Sequence, residues 1–311
     1  MTTMVALVGE QPIPNLLPVR YLKPTALVLV YTERTKNVAQ RLQQLLSELE
    51  IMPLELLDAY QVAAIRERIQ QSIAAQEDLL FNLTGGTKTM VLAAYDLARQ
   101  LQSPFFYFQT EGPHGRDQQS VLYRYTWHDD TAVLEQRFVL KDPLISLDDY
   151  LRVHFGTYNE TGFSKERGGV LERAVYRTLK GYVDEIKVGV RPGGLKNQVE
   201  IDLVIRCGNQ VGFIEVKEGG EESGKDAVDQ LTTAAARELS GVYVARFLVT
   251  GSTRDVRYKA VAQALDIRVI ELPDWHEDQG SLSPRAAEQL RRAIAERLPC
   301  QSVGVARNRA V

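Results

Sequence analysis

The sequence predicts an α/β protein built as two successive units, and three observations carry that prediction. Short apolar runs alternate with amphipathic stretches through the first 140 residues, the pattern of a largely parallel sheet with helices on its faces. The pattern weakens between residues 141 and 163, where Pro143, Gly156 and Gly162 fall. Beyond that point strands and helices alternate again, and a chain of 311 residues is about twice the length of a usual domain.

In the first unit, apolar runs predict strands over 4–8, 26–31, 79–83 and 105–109. Val38, Leu42, Leu45, Leu46 and Leu49 recur at helical spacing, as do Val62, Ile65, Ile69 and Ile73, and then Met90, Ala94, Leu97 and Leu101. Runs over 121–126 and 133–140, separated by 127–132, read as a hairpin that closes the unit. In the second unit, Leu171, Ala174, Val175, Thr178, Leu179 and Tyr182 form a helical stripe. Strands over 199–206 and 211–217 follow, joined by Cys207-Gly208-Asn209-Gln210. A helix over 226–238, a strand over 242–250, a helix over 256–265, a strand over 268–272 and a closing helix over 284–298 complete it. The expected organisation is a first domain over 1–140, a linker over 141–163, a second domain over 164–298 and a tail over 299–311.

Composition narrows the function. With 44% hydrophobic and 25% charged residues, the chain is neither disordered nor of low complexity. Net charge is −3, made of 12 Lys and Arg against 15 Asp and Glu in residues 1–140 and 25 against 25 beyond. No global basic signature exists, so any nucleic-acid site must be local. No apolar run approaches the roughly 20 residues of a membrane span, and Met1-Thr2-Thr3-Met4 does not begin a leader pattern, so the expectation is a cytoplasmic protein without a membrane. Cys207 and Cys300 are too few and too far apart in sequence for a disulfide framework or a zinc site, which fits a reducing compartment.

Two strings carry chemistry. The first, Phe81-Asn82-Leu83-Thr84-Gly85-Gly86-Thr87-Lys88-Thr89-Met90, runs from an apolar strand through two glycines into a helix. Read as a site, it is a phosphate cradle: glycines allow close backbone approach, a helix start offers unpaired N–H groups, and Thr84, Thr87 and Lys88 add donors. Read as structure alone, it is a tight turn with Thr87 as N-cap. It has neither the spacing of a Walker A loop nor that of a dinucleotide fingerprint.

The string from Asn82 to Lys88 resembles the signature of CARF domains (CRISPR-associated Rossmann fold), and Val30-Tyr31-Thr32-Glu33-Arg34-Thr35 resembles their other ligand-facing loop. The resemblance covers roughly residues 1–140. It implies a Rossmann-like fold and a homodimer that places two copies of these loops around one cyclic oligoadenylate. Thr84, Gly85, Gly86, Thr87 and Lys88 would contact the ring, with Thr32 and Thr35 nearby. Gln11, in the loop from Gly9 to Asn15, is able to donate to and accept from a base edge.

The second string is Asp202…Glu215-Val216-Lys217. Strand alternation puts Glu200 and Asp202 on one face and Glu215 and Lys217 on one face of the neighbouring strand, so Asp202, Glu215 and Lys217 converge. Burying two carboxylates together costs several kcal/mol unless a cation compensates, and hard oxygen ligands favour Mg²⁺ or Mn²⁺. The alternative is a solvated Glu215–Lys217 ion pair worth little.

The spacing resembles the PD-(D/E)xK nuclease signature, with Glu200-Ile201 standing where that signature has its proline. The superfamily places a further acidic ligand on the preceding helix, here Glu172, and a polar residue on the following helix, here Gln230. The resemblance implies a restriction-endonuclease-like domain in which Asp202, Glu215 and Glu172 hold the metal and Lys217 assists catalysis, while Glu200 is either an extra ligand or a bystander.

Other candidates are read as ordinary structure. His114, His128, His154 and His276 lack metal spacing and are expected at the surface, while Phe105 and Tyr107 are expected in the core. Arg237, Arg246, Arg254, Arg257, Lys259 and Arg268 form either a nucleic-acid groove or a solvated basic face.

Together the resemblances imply a metal-dependent endonuclease of type III CRISPR antiviral defence. It would be allosterically activated by cyclic tetra-adenylate and would cleave single-stranded DNA or RNA or nick duplex DNA. The alternatives are a ligand-responsive regulator that does not cleave and a ligand-independent restriction or repair nuclease.

Overall fold

The computed structural model describes residues 1–113, 115, 117–164, 168–193, 199–218 and 244–300. The predicted helix over 226–238 with Gln230 and Arg237, as well as His114 and the tail from residue 301, lie outside the described residues. Two units are present, one of Met1–Glu111 with Gln119–Gly156, the other of Gly112–Gln118 with Thr157–Val311.

The first unit contains β1 (Thr2–Leu7), α1 (Ile13–Leu22), β2 (Ala26–Thr32), α2 (Lys36–Leu45), β3 (Glu50–Leu56), α3 (Val62–Ser72), β4 (Asp78–Asn82), α4 (Lys88–Gln100), β5 (Phe105–Glu111), β6 (Gln119–His128), β7 (Thr131–Val139) and α5 (Leu147–Phe155). Its seven strands lie in the order β3-β2-β1-β4-β5-β6-β7. The first five run parallel and the last three pair antiparallel, which makes a Rossmann-like sheet. Strand β1 is sandwiched between β2 and β4, with Met4 opposite both Leu27 and Leu80. Its residues Met4 to Leu7 are fully buried, as apolar runs in a two-faced parallel sheet must be. Connections leave in opposite directions on either side of β1, so the carboxyl ends of β1 and β4 flank the switch point where such sheets bind ligands.

The predicted strands and three predicted helices of this unit are present, with ends that differ by at most four residues. The β6–β7 hairpin is tighter than expected, because Trp127 and His128 stay paired with Ala132 and Thr131 and only Asp129-Asp130 turn, Asp129 at a φ of 53°. The stretch 141–163, expected as a linker, holds α5 and the strand Tyr158–Glu160. Helix α5 is fixed by a capping box in which Ser146 Oγ accepts from the Asp149 N–H at 3.0 Å and Asp149 Oδ2 accepts from the Ser146 N–H at 2.8 Å.

His154, expected at the surface, is a buried residue of α5 packed on Tyr150. Burial, with the Arg41 charge adding to it, pulls its pKa from 6.5 to about 3, so the ring is neutral. Phe105 is in the core as expected, packed on Tyr95 of α4, whereas Tyr107, two residues further along the same face of β5, is 43% exposed.

The second unit contains β8 (Tyr158–Glu160), α6 (Gly168–Leu179), β9 (Glu185–Pro192), β10 (Ile201–Cys207), β11 (Gln210–Lys217), β12 (Ala245–Thr250), α7 (Val256–Ala264), β13 (Ile267–Glu271) and α8 (Pro284–Ala295). Its sheet has the order β13-β12-β11-β10-β9-β8, mixed in direction, with β11, β12 and β13 parallel. Leu171, Val175 and Leu179 of α6 and Leu290 and Ile294 of α8 pack with Leu203, Ile205, Ile214, Val216, Phe247 and Val249 of the sheet.

Cys207 and Cys300 form a disulfide with a Cα–Cα distance of 4.9 Å, which corrects the expectation from their spacing. Sequence separation of 93 residues is not separation in space: the β10–β11 turn and the segment after α8 meet at one end of this core. Among the described residues no helix is long and apolar enough to cross a membrane.

Candidate functional site

At the carboxyl edge of the first sheet, the loop after β4 runs directly into α4. Thr87 Oγ1 accepts from the Met90 N–H at 3.2 Å, the N-cap that the sequence predicts. Gly86 takes a φ of +76°, the left-handed region that favours glycine. Gly85 is required for a different reason: a Cβ there would stand 2.1 Å from the Leu7 carbonyl oxygen and 3.1 Å from the Gly9 nitrogen. The β1 loop and the β4 loop therefore touch backbone to backbone.

A buried amide network holds that contact. Asn15 Nδ2 donates to the Leu7 carbonyl at 3.1 Å, and Asn82 Nδ2 donates to Asn15 Oδ1 at 3.0 Å and to the Pro14 carbonyl at 2.9 Å. The Pro14 carbonyl is free to accept because Pro18, one helical turn later, has no N–H to give it. Asn82 Oδ1 in turn accepts from the Thr84 hydroxyl at 2.7 Å, and Thr84 Oγ1 accepts from the Phe108 N–H at 2.8 Å. Asn15 and Asn82 are 1% and 0% exposed, so these bonds replace water completely. Sequence reasoning does not find Asn15; the signal was the run Pro12-Ile13-Pro14-Asn15 with Pro18, which reads as a loop and is a helix start.

Thr84 thus faces into the fold and braces the loop. Thr35 is also buried: its hydroxyl accepts from the Thr32 N–H at 3.1 Å and starts a 3-10 turn, Glu33–Thr35, after β2. Arg34 in this turn forms an ion pair with Glu10 of the β1 loop, so the β1, β2 and β4 loops form one edge, with Gln11 in the middle loop. Lys88, the first residue of α4, is exposed and has no ion pair among the described residues. A cation at the positive end of a helix dipole is unfavourable by itself, and an anion beside it reverses the sign.

The second constellation sits on β10 and β11. Leu203 pairs with Ile214, so Asp202 and Glu215 are neighbours across the strands, on the face opposite the Leu203–Ile214–Val216 core. Asp202 Oδ2 accepts from the Val216 N–H at 2.7 Å. Lys217 Nζ lies 2.8 Å from Glu215 Oε1 and forms an ion pair with that buried carboxylate. Glu215 is 1% exposed, so the solvated ion-pair alternative does not describe it. Glu172 on α6 is also buried, and its Oε2 accepts from the Ser164 N–H at 3.0 Å. Glu200, by contrast, is held by Arg191 at 2.8 Å and by the Thr161 hydroxyl at 2.6 Å.

Burial dominates the electrostatics here. It pushes the Glu215 carboxyl up to about 7 against the pull of Lys217, and Asp202 goes well above its ordinary value through burial and then the Glu215 charge. Glu172 is raised by burial too, with the Ser164 N–H opposing. Burial alone would lower Lys217, but the carboxylates around it, Glu215 first, outweigh that and raise it. Carboxylates so destabilised call for a cation.

The expected three-ligand metal set is not assembled: among the described residues no three Asp, Glu, His or Cys side chains are grouped so as to hold a metal ion. The adjacent carboxylates of Asp202 and Glu215, both destabilised by burial, nonetheless fit a hard divalent cation of the kind that keeps several waters and uses one or two carboxylates. Several arginines of the possible basic face are already engaged, Arg268 with Glu296 and Arg246 with the Leu265 carbonyl.

Solved structures with the same fold as the whole chain include Can2 from Sulfobacillus thermosulfidooxidans in complex with cyclic tetra-adenylate, at 16% identity and a TM-score of 0.72, covering 94% of this chain and 99% of that one. Protein VC1899 from Vibrio cholerae matches at 14% identity and a TM-score of 0.71 over 95% and 98% of the two chains. A type III CRISPR defence DNA nuclease activated by cyclic oligoadenylate matches at 14% identity and a TM-score of 0.61, covering 93% of this chain and 51% of its own. No curated protein matches the sequence. The family comparison falls on the first unit, where the clamped loops are: residues 3–150 match the Card1 CARF domain.

Proposed function

We propose that the chain is a metal-dependent nuclease of type III CRISPR defence, activated by a cyclic oligoadenylate, cyclic tetra-adenylate in the first instance. The observation that carries this reading is the convergence of Asp202 and Lys217 on the buried Glu215 in a chain whose first unit matches the Card1 CARF domain. The Can2 structure, which shares the fold, holds cyclic tetra-adenylate, and this supports the choice of ligand. In the reading, Lys88 and the N–H groups at the start of α4 take ligand phosphates, Gly85 and Gly86 let the backbone approach, and Gln11, Thr32, Thr35, Thr84 and Thr87 shape the edge. Two copies of that edge enclose one ring, so the active form is a homodimer. The second unit is a PD-(D/E)xK nuclease domain, and a defence nuclease of this kind works in the cytoplasm.

Asp202 and Glu215 would hold Mg²⁺ or Mn²⁺, with Glu172 beside them. Such an ion supplies Lewis-acid polarisation of a phosphodiester and acidifies water. The chain's own groups do the rest. Asp202 is fixed by the Val216 N–H, so its free oxygen keeps one direction. Lys217, kept charged by its carboxylate neighbours, neutralises charge that develops on the phosphorus.

The test is incubation of the full chain with labelled single-stranded DNA or RNA and Mn²⁺, with and without cyclic tetra-adenylate. Cleavage only with the messenger supports the reading. Equal cleavage without it supports a ligand-independent nuclease, and no cleavage under either condition supports a regulator.

A further inference from the structure

We infer that Tyr60 is a base-stacking platform at the messenger site, supplying to an adenine ring what Lys88 supplies to a phosphate. The inference rests on the ligand reading above. Tyr60 lies in the loop between β3 and α3, and that loop is tied to the start of α4: the Ala59 carbonyl accepts from Thr87 Oγ1 at 3.3 Å and from the Thr89 hydroxyl. Thr87 and Thr89 flank Lys88, so the aromatic residue and the cation stand on two segments joined by the same pair of hydrogen bonds.

The loop is ordered by its own bonds as well. Asp58 Oδ1 accepts from the Tyr60 N–H at 2.7 Å. An ordered backbone makes the exposure of Tyr60, 77%, a property of the fold. Its neighbour Leu57 is fully exposed as well. Nothing within the first unit covers the ring, and the phenol makes no hydrogen bond among the described residues.

An exposed aromatic ring on an ordered backbone beside an anion-binding loop has one use that matches a nucleotide. A purine has a π face that any aromatic ring can stack on, and a tyrosine loses little freedom in doing so. Phosphate donors alone would not distinguish an oligonucleotide from inorganic anions; a ring beside them does. Stacking is sequence-tolerant, so discrimination for adenine would come from base-edge donors such as Gln11.

The test is calorimetric titration of cyclic tetra-adenylate into the full chain at several salt concentrations, for wild type, Tyr60→Phe, Tyr60→Ala and Lys88→Ala. Each stacked base is worth about 10-fold in affinity, and the substitution removes one from each copy around the ring, so affinity should weaken by about 100-fold. Tyr60→Ala should show that loss at every salt concentration with an unchanged salt slope, Tyr60→Phe should stay within about 2-fold of wild type, and Lys88→Ala should flatten the slope.

Tyr60→Ala with wild-type affinity overturns the inference while leaving the ligand reading intact. A Tyr60→Phe loss as large as that of Tyr60→Ala assigns a hydroxyl contact and overturns stacking. If Tyr60→Ala instead dissociates a dimer, with affinity unchanged in the protein that stays assembled, the ring faces a second copy and the inference fails. A wild-type chain that binds no cyclic tetra-adenylate ends the ligand reading, and the inference falls with it.

Discussion

Gly85→Ala is the substitution for which the structure makes the most definite demand. The added Cβ would stand 2.1 Å from the Leu7 carbonyl oxygen, well inside contact distance, and 3.1 Å from the Gly9 nitrogen. Both atoms are backbone, so no side chain can swing aside. Leu7 ends β1, and its carbonyl accepts the 3.1 Å bond from Asn15, whose Oδ1 in turn accepts from Asn82 at 3.0 Å. Overpacking of this kind costs roughly 1–3 kcal/mol, and losing one buried hydrogen bond adds about 1 kcal/mol. A total of about 2–4 kcal/mol corresponds to a fall of roughly 4–15 °C in the melting temperature of a unit near 150 residues.

Differential scanning calorimetry reads that fall, and titration with cyclic tetra-adenylate reads a loss of affinity of about 10-fold or more as the two loops are pushed apart. Gly9→Ala is the matched control, since its nearest contact is 3.2 Å and it should cost less. A Gly85→Ala protein that melts and binds like wild type would show that the two loops do not meet as described.

Three further outcomes follow from the same geometry. Glu215→Gln should abolish Mn²⁺-dependent cleavage while leaving messenger affinity unchanged, and retained cleavage in a gel assay would remove Glu215 from the nuclease site. His154 is buried neutral with its pKa drawn from 6.5 to about 3, so its contribution to stability is complete above pH 6.5 and is lost as the pH falls toward 3. The loss is about 1.4 kcal/mol per unit below 6.5, visible as a falling urea midpoint between pH 6.5 and 5; an equal slope in His154→Phe would contradict this origin. Cys300→Ser opens a closure spanning 93 residues and should lower the stability of the second unit by about 2–4 kcal/mol, whereas identical unfolding of oxidised and reduced protein would show the bond to be idle.

What the sequence disclosed tracks how strongly each element depends on local pattern. Strands β1, β2 and β4 are buried on both faces and so read as continuous apolar runs. Strand β3 is an edge strand with Glu50, Pro53 and Glu55, and only pairing with β2 makes it a strand. Strand β9 is hidden for a similar reason, since Glu185, Lys187 and Arg191 interrupt its apolar residues and find partners on adjacent elements. Helix α1 is obscured by Pro14 and Pro18, yet those prolines are what leave a carbonyl open for Asn82. Helix α5 was within reach: Ser146-Leu147-Asp148-Asp149 is a capping-box string followed by Tyr150, Leu151 and Val153.

The site divides the same way. Asp202, Glu215 and Lys217 converge because two-residue periodicity and a short turn fix them. The roles of Thr84 and Thr35 as internal braces depend on long-range partners, Phe108 for one and the local turn for the other, so composition marks the hydroxyls without saying which way they face. The Cys207–Cys300 bond is wholly tertiary, since only the packing of α8 against the sheet brings its ends together.

In the proposed function, messenger binding and phosphodiester cleavage belong to one chain and are coupled. Its most direct test is the initial rate of cleavage of a labelled single strand, measured in Mn²⁺ across a titration of cyclic tetra-adenylate, beside the binding isotherm of the same preparation. Coupling of the two sites gives a rate near zero without the messenger that rises and saturates with the midpoint of binding. A rate independent of cyclic tetra-adenylate, at concentrations where binding is complete, would contradict it.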